Sequence, residues 1–247
     1  MTDEVVVRYR IIGPTGRLTH EAAVASCLPP DALYPRVIAS GCWARDDWLV
    51  TERIPGEPLV VVWPRLSPEE REQAARHLAH ALRALHHAPA RHLRPPCLFG
   101  GAPLVDRSDF IDTLGDVAQR ASGVASDTVA HVLDKLEEYR PAIDVDGHVM
   151  AHHDLHFGHG IWRDGRLVGL VDLEMSHANA ADWDLRELLR GCVYWEAAAS
   201  VAVDGQLGPG SFANFPIWFR DAYPAPFSHP AVVPRCASMN SSMAWQP

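Results

Sequence analysis

Lysine is almost absent from this 247-residue chain: Lys135 is the only one, and arginine supplies the rest of the 22 basic residues. Basic residues are also outnumbered, 22 against 31 acidic, for a formal charge of −9. That balance speaks against a dedicated nucleic-acid binder, which would carry a basic patch or stripe. No apolar run approaches the ~20 residues of a membrane helix, so no span is expected. The opening MTDEVVVRYR lacks a basic stretch followed by an apolar one, so no secretory leader is read there. Cysteine is sparse and scattered, at Cys27, Cys42, Cys97, Cys192 and Cys236, with no C-x-x-C pair. The odd count excludes a disulfide framework or zinc ribbon and fits a reducing, cytoplasmic setting. Internal repeats are missing as well. What remains is 47% apolar and 21% charged, enough to bury a core and too apolar for wholesale disorder.

Local patterns divide the chain into two parts. Residues 4–12 read as a strand because β-branched residues dominate, and Gly13-Pro14-Thr15-Gly16 supplies turn chemistry. A helix is expected near 19–28, capped by Thr19. Residues 36–40 and 47–53 read as strands, broken by Pro55-Gly56. The clearest helix start is Ser67-Pro68-Glu69-Glu70, a capping box with proline in the first turn; Leu78, Leu82 and Leu85 then share one face. Pro89 ends that helix, and 90–105 reads as a connector. Helices are expected around 108–121 and 127–140. A short strand at 148–151 precedes a hairpin, 160–163 and 166–172, turning on Asp164-Gly165. A long helix is expected from Asp182 to about Val203, followed by a Pro-, Gly- and Ser-rich tail. The order implies an α+β fold: a small lobe over 1–54 and a mainly helical lobe over 55–247.

The densest chemistry is His152-His153-Asp154-Leu155-His156-Phe157-Gly158-His159, with Asp172 and Glu174 at the far end of the hairpin. This layout brings Asp154 and Asp172 to one edge of a small sheet. One carboxylate can accept a proton while the other holds a cation.

These segments resemble the aminoglycoside phosphotransferase-like family of small-molecule kinases, relatives of the protein kinases. That family reads H-G-D-x-H-x-x-N, a hairpin, I-D-x-E, then D-L about ten residues on. Here the text is HHDLHFGH, GIWRDGRLVGL, VDLE and ADWDL. WLVTERIPGEPL resembles the strand and hinge between the lobes, LRALHH the helix end before the family's insert, and EAAV at 21–24 the small-lobe helix with its ion-pairing glutamate. The resemblance spans about residues 5–190. It implies a two-lobed protein-kinase-like fold with a reduced N-terminal lobe. It also implies transfer of the γ-phosphoryl group of ATP or GTP, with Mg2+, to a small-molecule hydroxyl, an antibiotic such as an aminoglycoside leading. By resemblance, Asp154 orients and deprotonates the hydroxyl, and His152 braces its loop. Asp172 binds magnesium with Glu174 assisting, Asp184 organises the loop, and Glu21 pairs with the phosphate-contacting basic residue, Arg8.

Three departures stand out. Arg8 replaces the common lysine, and a planar guanidinium has a different reach and hydration. His159 stands where the family has a metal-binding asparagine, and imidazole is a poor magnesium ligand. Few residues precede the Arg8 strand, so no phosphate-covering loop is read there. The bland readings stay open: Arg10 instead of Arg8 in the phosphate register, Glu21 as a surface charge, His86 and His87 as helix-end residues at the dipole, Trp183 and Leu185 as core. Two other classes compete with the kinase. One is a non-catalytic kinase-like binding protein. The other is a metal-dependent hydrolase using the His152–His159 cluster, without the HEXXH glutamate.

Overall fold

The computed structural model describes residues 5–10, 17–43, 46–89, 97–98, 102–103, 116, 119–120, 123, 125–139, 149–194, 207–208, 210–232 and 236. The N-terminal part is an antiparallel sheet in the order β1-β3-β2. Its strands are β1 (Val5–Arg10), β2 (Val37–Trp43) and β3 (Asp46–Glu52), and helix α1 (Arg17–Ala25) packs on it. Alternation along β1 sets its chemistry. Val5, Val7 and Tyr9 face outward and are exposed, while Arg8 and Arg10 share the other, half-buried face.

The expected start of α1 needs correction. Thr19 does not cap it, because the helix already begins at Arg17. The cap comes from the sheet instead: buried Asp47 of β3 accepts from the Leu18 and Thr19 amides at 2.6 and 3.4 Å. A carboxylate there also suits the positive end of the helix.

Past residues 53–56 the chain enters the larger part. Gly56 lies at φ 153°, and a Cβ there would meet the Trp162 carbonyl at 2.7 Å, so the crossing passes close against the hairpin. Strand β4 (Glu57–Pro58) leads into the short helix α2 (Leu59–Val62) and then α3 (Pro68–His86). The capping box forms as read: Ser67 Oγ accepts from the Glu70 amide at 3.2 Å, and Glu70 Oε2 accepts from the Ser67 amide at 2.8 Å. Leu78, Leu82 and Leu85 are fully buried.

Two-residue strands β5 (Cys97–Leu98) and β6 (Ala102–Pro103) pair with each other. Helix α4 (Ser126–Tyr139) matches the helix expected at 127–140. The helix expected at 108–121 lies outside the described residues except Asp116, Gln119 and Arg120. Strand β7 (Val149–Ala151) precedes the histidine-rich loop, and β8 (Gly160–Arg163) and β9 (Arg166–Leu170) form the hairpin. Its turn residues Asp164 and Gly165 both have positive φ, 50° and 74°. β4-β8-β9 form one sheet, and β7 pairs with β10 (His177–Asn179).

The long helix expected from 182 starts later. Residues Ala181–Asp184 make a 3-10 turn, and α5 runs Leu185–Val193. The rest of that expected helix, 195–203, lies outside the described residues, as does the end of the tail. Helix α6 (Phe215–Ala222) was not foreseen; it packs on α3 and buries Phe215 and Phe219. Trp63 sits at the centre of the core, stacked on Phe212 at 5.0 Å and donating its Nε1–H to the Ser211 carbonyl at 2.8 Å.

Candidate active site

The loop between β7 and β8 is positioned by what it buries. Leu155 and Phe157 point into the core, Phe157 against Phe212 (4.3 Å) and Trp63 (5.3 Å). Each such side chain gains about 1.5–3 kcal/mol from leaving water. The intervening Asp154 and His156 stay half-exposed. The Val60 amide donates to the Phe157 carbonyl at 3.1 Å, and the Val171 amide to the His159 carbonyl at 3.0 Å. The loop is thus tied on both sides.

Its N-terminal half rests on one buried carboxylate. Asp184 accepts from the His152 amide through Oδ2 and the His153 amide through Oδ1, both at 2.8 Å. Oδ2 also faces His86 Nε2 at 2.9 Å, and His86 Nδ1 lies 2.9 Å from the Tyr223 hydroxyl. Burial pushes the Tyr223 hydroxyl up to about 12, so it keeps its proton, and the Asp184 carboxylate, which only accepts, takes the Nε2–H of His86. Burial alone would raise the Asp184 pKa. The His86 contact and the loop amides outweigh it, and the carboxyl lies below its ordinary value. His86, the last residue of α3 as expected, is also a buried link between that helix and the loop. His87 stays exposed, with Nδ1 on the Arg83 carbonyl at 2.6 Å. Trp183 and Leu185 are buried as read.

His152 is fully buried. Its Nε2 donates to the Val171 carbonyl at 3.1 Å, and its Nδ1 accepts from the Asp154 amide at 3.4 Å. Burial lowers its pKa, so the ring is neutral. His153 takes φ 71°, unusual for a side chain of this size, and stacks on His177 at 3.5 Å. Asp172 has φ 69°, which ends β9 two residues before the expected boundary.

Across the cleft, Arg8 sits between carboxylates. Its Nη1 donates to Glu21 Oε2 at 2.6 Å, and its Nη2 to Asp172 Oδ1 at 2.7 Å and Glu174 Oε2 at 3.1 Å. Burial would lower the Arg8 pKa; Glu21, Asp172 and Glu174 outweigh it and raise it. Glu21 is no surface charge. It is fully buried, and it also accepts from Tyr34 Oη at 2.8 Å and the Leu173 amide at 3.0 Å. Burial raises its pKa against the pull of Arg8. Glu174 is held by three arginines: Arg8, Arg10 at 2.5 Å and Arg17 at 3.2 Å. Arg8, not Arg10, takes the glutamate of α1.

Asp154 and Asp172 differ electrically. Burial, with Asp172 adding to it against His156, raises the Asp154 pKa. Asp172 is also penalised by burial, but Arg8 and His159 outweigh that and hold it below its ordinary value. One carboxyl is thus tuned toward taking a proton and the other toward staying charged. Ligand atoms of Asp154, His156 and His159 lie within 4.8 Å of one another, as do those of Glu21, Asp172 and Glu174, the latter group already joined by Arg8. Beside Asp172 opens a cleft of about 330 Å3 between β1 and the 51–54 crossing, lined by Val6, Arg8, Tyr34, Ile54, His159 and Ile161 among others.

A family model described as a phosphotransferase enzyme family (APH) matches residues 2–218. The chain belongs to that family. A search of curated proteins gave no significant sequence match. Among solved structures, the chain is similar to an aminoglycoside-3'-phosphotransferase of type VIII, at 23% identity and TM-score 0.62, covering 96% of this chain and 84% of the other. It is similar to APH(2″)-IIa, solved with streptomycin and ATP, at 19% identity and TM-score 0.65, covering 99% and 77%. It is also similar to aminoglycoside phosphotransferase APH(4)-Ia, solved with ADP and hygromycin B, at 16% identity and TM-score 0.63, covering 97% and 76%. These likenesses bear on the fold, which is two-lobed and kinase-like as expected. Family membership makes the chain a small-molecule phosphotransferase.

Within this family frame, the structure brings together all of Arg8, Glu21, His152, Asp154, His159, Asp172 and Glu174. Sequence reading missed Tyr34, Arg17 and the His86–Tyr223 link. Their partners lie 13, 157 and 137 residues away, and no local motif announces them. No helix among the described residues is long and apolar enough to cross a membrane.

Proposed function

We propose that this chain transfers the γ-phosphoryl group of ATP or GTP to a hydroxyl of a small molecule, with an aminoglycoside as the leading acceptor. The observation that carries the reading is a pair of unlike carboxyls that feel one another: Asp154, disposed to take a proton, and Asp172, lining the cleft and disposed to remain an anion. Phosphoryl transfer needs little covalent help from a protein; it needs position and charge neutralisation. Asp154 orients the acceptor hydroxyl and takes its proton. His152 braces the loop through the Val171 carbonyl and the Asp154 amide. Arg8, fixed by Glu21, contacts the donor phosphates.

A divalent cation, Mg2+ by resemblance, would be held by Asp172 and supplies charge neutralisation to the phosphates when bound. Glu174 is a weaker ligand candidate, since three arginines already surround it. The nucleotide lobe would comprise residues 1–54 and the acceptor side 55–247. Solved relatives hold ATP or ADP with streptomycin or hygromycin B, which supports this class of donor and acceptor.

The hydrolase reading is disfavoured by tautomers. His156 Nδ1 accepts from the Gly158 amide at 3.0 Å, so its Nε2 carries hydrogen and offers no lone pair; His152 is committed in the same manner. The non-catalytic reading draws on the Arg8–Asp172 contact, which engages the proposed cation ligand. Calorimetric titration of Mg-ATP into the wild type and Asp172→Asn, followed by nucleoside-diphosphate release with a panel of aminoglycosides, decides. Saturable binding that the variant loses, with acceptor-dependent release, is the expected result. A folded protein that binds no nucleotide would refute the proposal.

A further inference from the structure

A second cavity, of about 480 Å3, shares no lining residue with the cleft beside Asp172. It opens between α3, the turn at residues 31–33 and the start of β9. Small-molecule sites run from about 300 to 1,000 Å3, so the volume suits a ligand larger than a single ion. The helix sets much of its chemistry. His77, His80, Arg83 and His87 follow at spacings of three, three and four, so they share one side of α3 and its end. Ala81 and Ala84 lie among them and leave the space open. Arg166 enters from β9. Five side chains able to carry positive charge thus share the cavity with one carboxylate, Asp31, on a chain of formal charge −9.

The two arginines set this cavity apart. Elsewhere arginine is committed to carboxylate, as Arg8 is to Glu21, Arg65 to Glu57 and Arg76 to Glu72. Among the described residues, the Arg83 and Arg166 side chains have no hydrogen-bond or ion-pair partner, and Asp31 pairs with neither. The histidines add donors. His77 Nδ1 accepts from the Leu167 amide at 3.3 Å, so its Nε2 carries the hydrogen. His87 Nδ1 donates to the Arg83 carbonyl at 2.6 Å, and its Nε2 becomes a second donor on protonation. A metal ion does not suit this place. The groups of described residues that bring three ligand atoms within 4.8 Å of one another include none of these histidines. Nucleic acid does not suit it either, since that partner calls for an extended basic stripe.

We propose that this cavity is a second ligand site, which binds a small phosphorylated molecule. Guanidinium forks match phosphate oxygens bidentately. The oxygens of a phosphate are tetrahedrally disposed and accept from the helix and the strand at once. A carboxylate offers only two, in one plane. The site goes beyond the phosphotransferase reading and does not depend on it, because none of its residues belongs to the transfer cleft.

The test titrates inorganic pyrophosphate into the full chain by calorimetry, beside Arg83→Gln, Arg166→Gln and the double variant. Both arginines are exposed, so neither substitution opens the core. Arg220→Gln, at another exposed arginine, controls for net charge. A hydrogen bond between charged groups is worth about tenfold or more in affinity. The expected result is saturable binding, weakened at least about tenfold by each single variant and held within about twofold of wild type by Arg220→Gln. Citrate, an anion of carboxylates alone, should bind at least about tenfold more weakly than pyrophosphate. No saturable binding overturns the proposal. So does a double variant within about twofold of wild type, which would put pyrophosphate elsewhere, the Asp172 cleft included. An equal loss in Arg220→Gln overturns it as a net-charge effect, and equal affinity for citrate overturns the phosphate assignment. Should the variants not fold, nitrogen-15 NMR of wild-type histidines decides: the His77, His80 and His87 resonances must move with pyrophosphate, and unmoved resonances overturn the site. An ADP titration of the double variant keeps the two readings apart, since nucleotide affinity at the cleft should stay as in wild type whether or not this cavity binds.

Discussion

Replacing Asp184 by asparagine removes one charge and one acceptor from a fully enclosed cluster. The carboxylate serves three donors: the amides of His152 and His153 and His86 Nε2. An asparagine oxygen at the Oδ2 position keeps two of these as neutral bonds. Its amide nitrogen then confronts the His153 N–H, which is orphaned. An unsatisfied buried donor costs about 1–3 kcal/mol, and hydrogen bonds to charged groups are worth about 1.5–3 against roughly 1 for neutral ones. The sum is about 3 kcal/mol, the lower end for breaking a buried charged network, because asparagine removes the charge instead of stranding it. At about 2–4 °C per kcal/mol for a chain of this size, Tm should fall by roughly 6–12 °C in calorimetry at neutral pH. A pH series adds a sign. The folded Asp184 pKa is depressed, so its stabilisation is present above the unfolded value of about 3.9 and is lost as pH falls through the folded one. The gap between wild type and variant should therefore close only below about pH 4. A loss under about 1 kcal/mol at neutral pH, or a gap that closes between pH 5 and 7, would refute the reasoning.

Asp154→Ala should abolish phosphoryl transfer to any acceptor while nucleotide affinity stays within about twofold; equal turnover would remove Asp154 from its role. In the wild type, the raised Asp154 pKa predicts loss of activity on acidification that begins above the ordinary aspartate value of about 3.9. A pH–rate profile flat down to that value would contradict it. Glu21→Gln leaves one oxygen, which at the Oε1 position keeps Tyr34 and Leu173 but sets an amide nitrogen against Arg8, so losing that charge-assisted bond should show in urea unfolding as about 1.5–3 kcal/mol. Leu82→Ala in the fully buried α3 face should cost about 2–5 kcal/mol by the same assay without altering nucleotide affinity.

Features set by neighbours in sequence were legible. The Ser67 capping box and the Asp164-Gly165 hairpin follow from local rules, and the structure reproduces them, whereas the spacing from Asp154 to Asp172 and Asp184 was legible only through the family resemblance. Features set by distant partners were not. Asp47 caps α1 from another strand, 29 residues from the Leu18 amide it binds, so Thr19 drew the assignment instead. His86 looks like any helix-end histidine until Asp184, 98 residues on, is seen beside it. Helix α6 was hidden by Pro216 in its first turn and by its Pro- and Gly-rich surroundings. Nor could text alone show that Arg8 would reach Asp172, since those residues stand 164 positions apart.

The near-absence of lysine has its sharpest consequence at that contact. A guanidinium is a fork, and Arg8 lays one prong on the small-lobe helix and the other on the far wall of the cleft. An ammonium, a single point of charge, would be pulled toward one wall at a time and leave the other without its counter-ion. The arginine acts as a spacer of fixed width, setting how far apart the two halves stand before anything enters. An incoming polyanion would not be captured by a waiting charge. It would have to displace a carboxylate from one prong, so its arrival and the release of Asp172 become a single exchange.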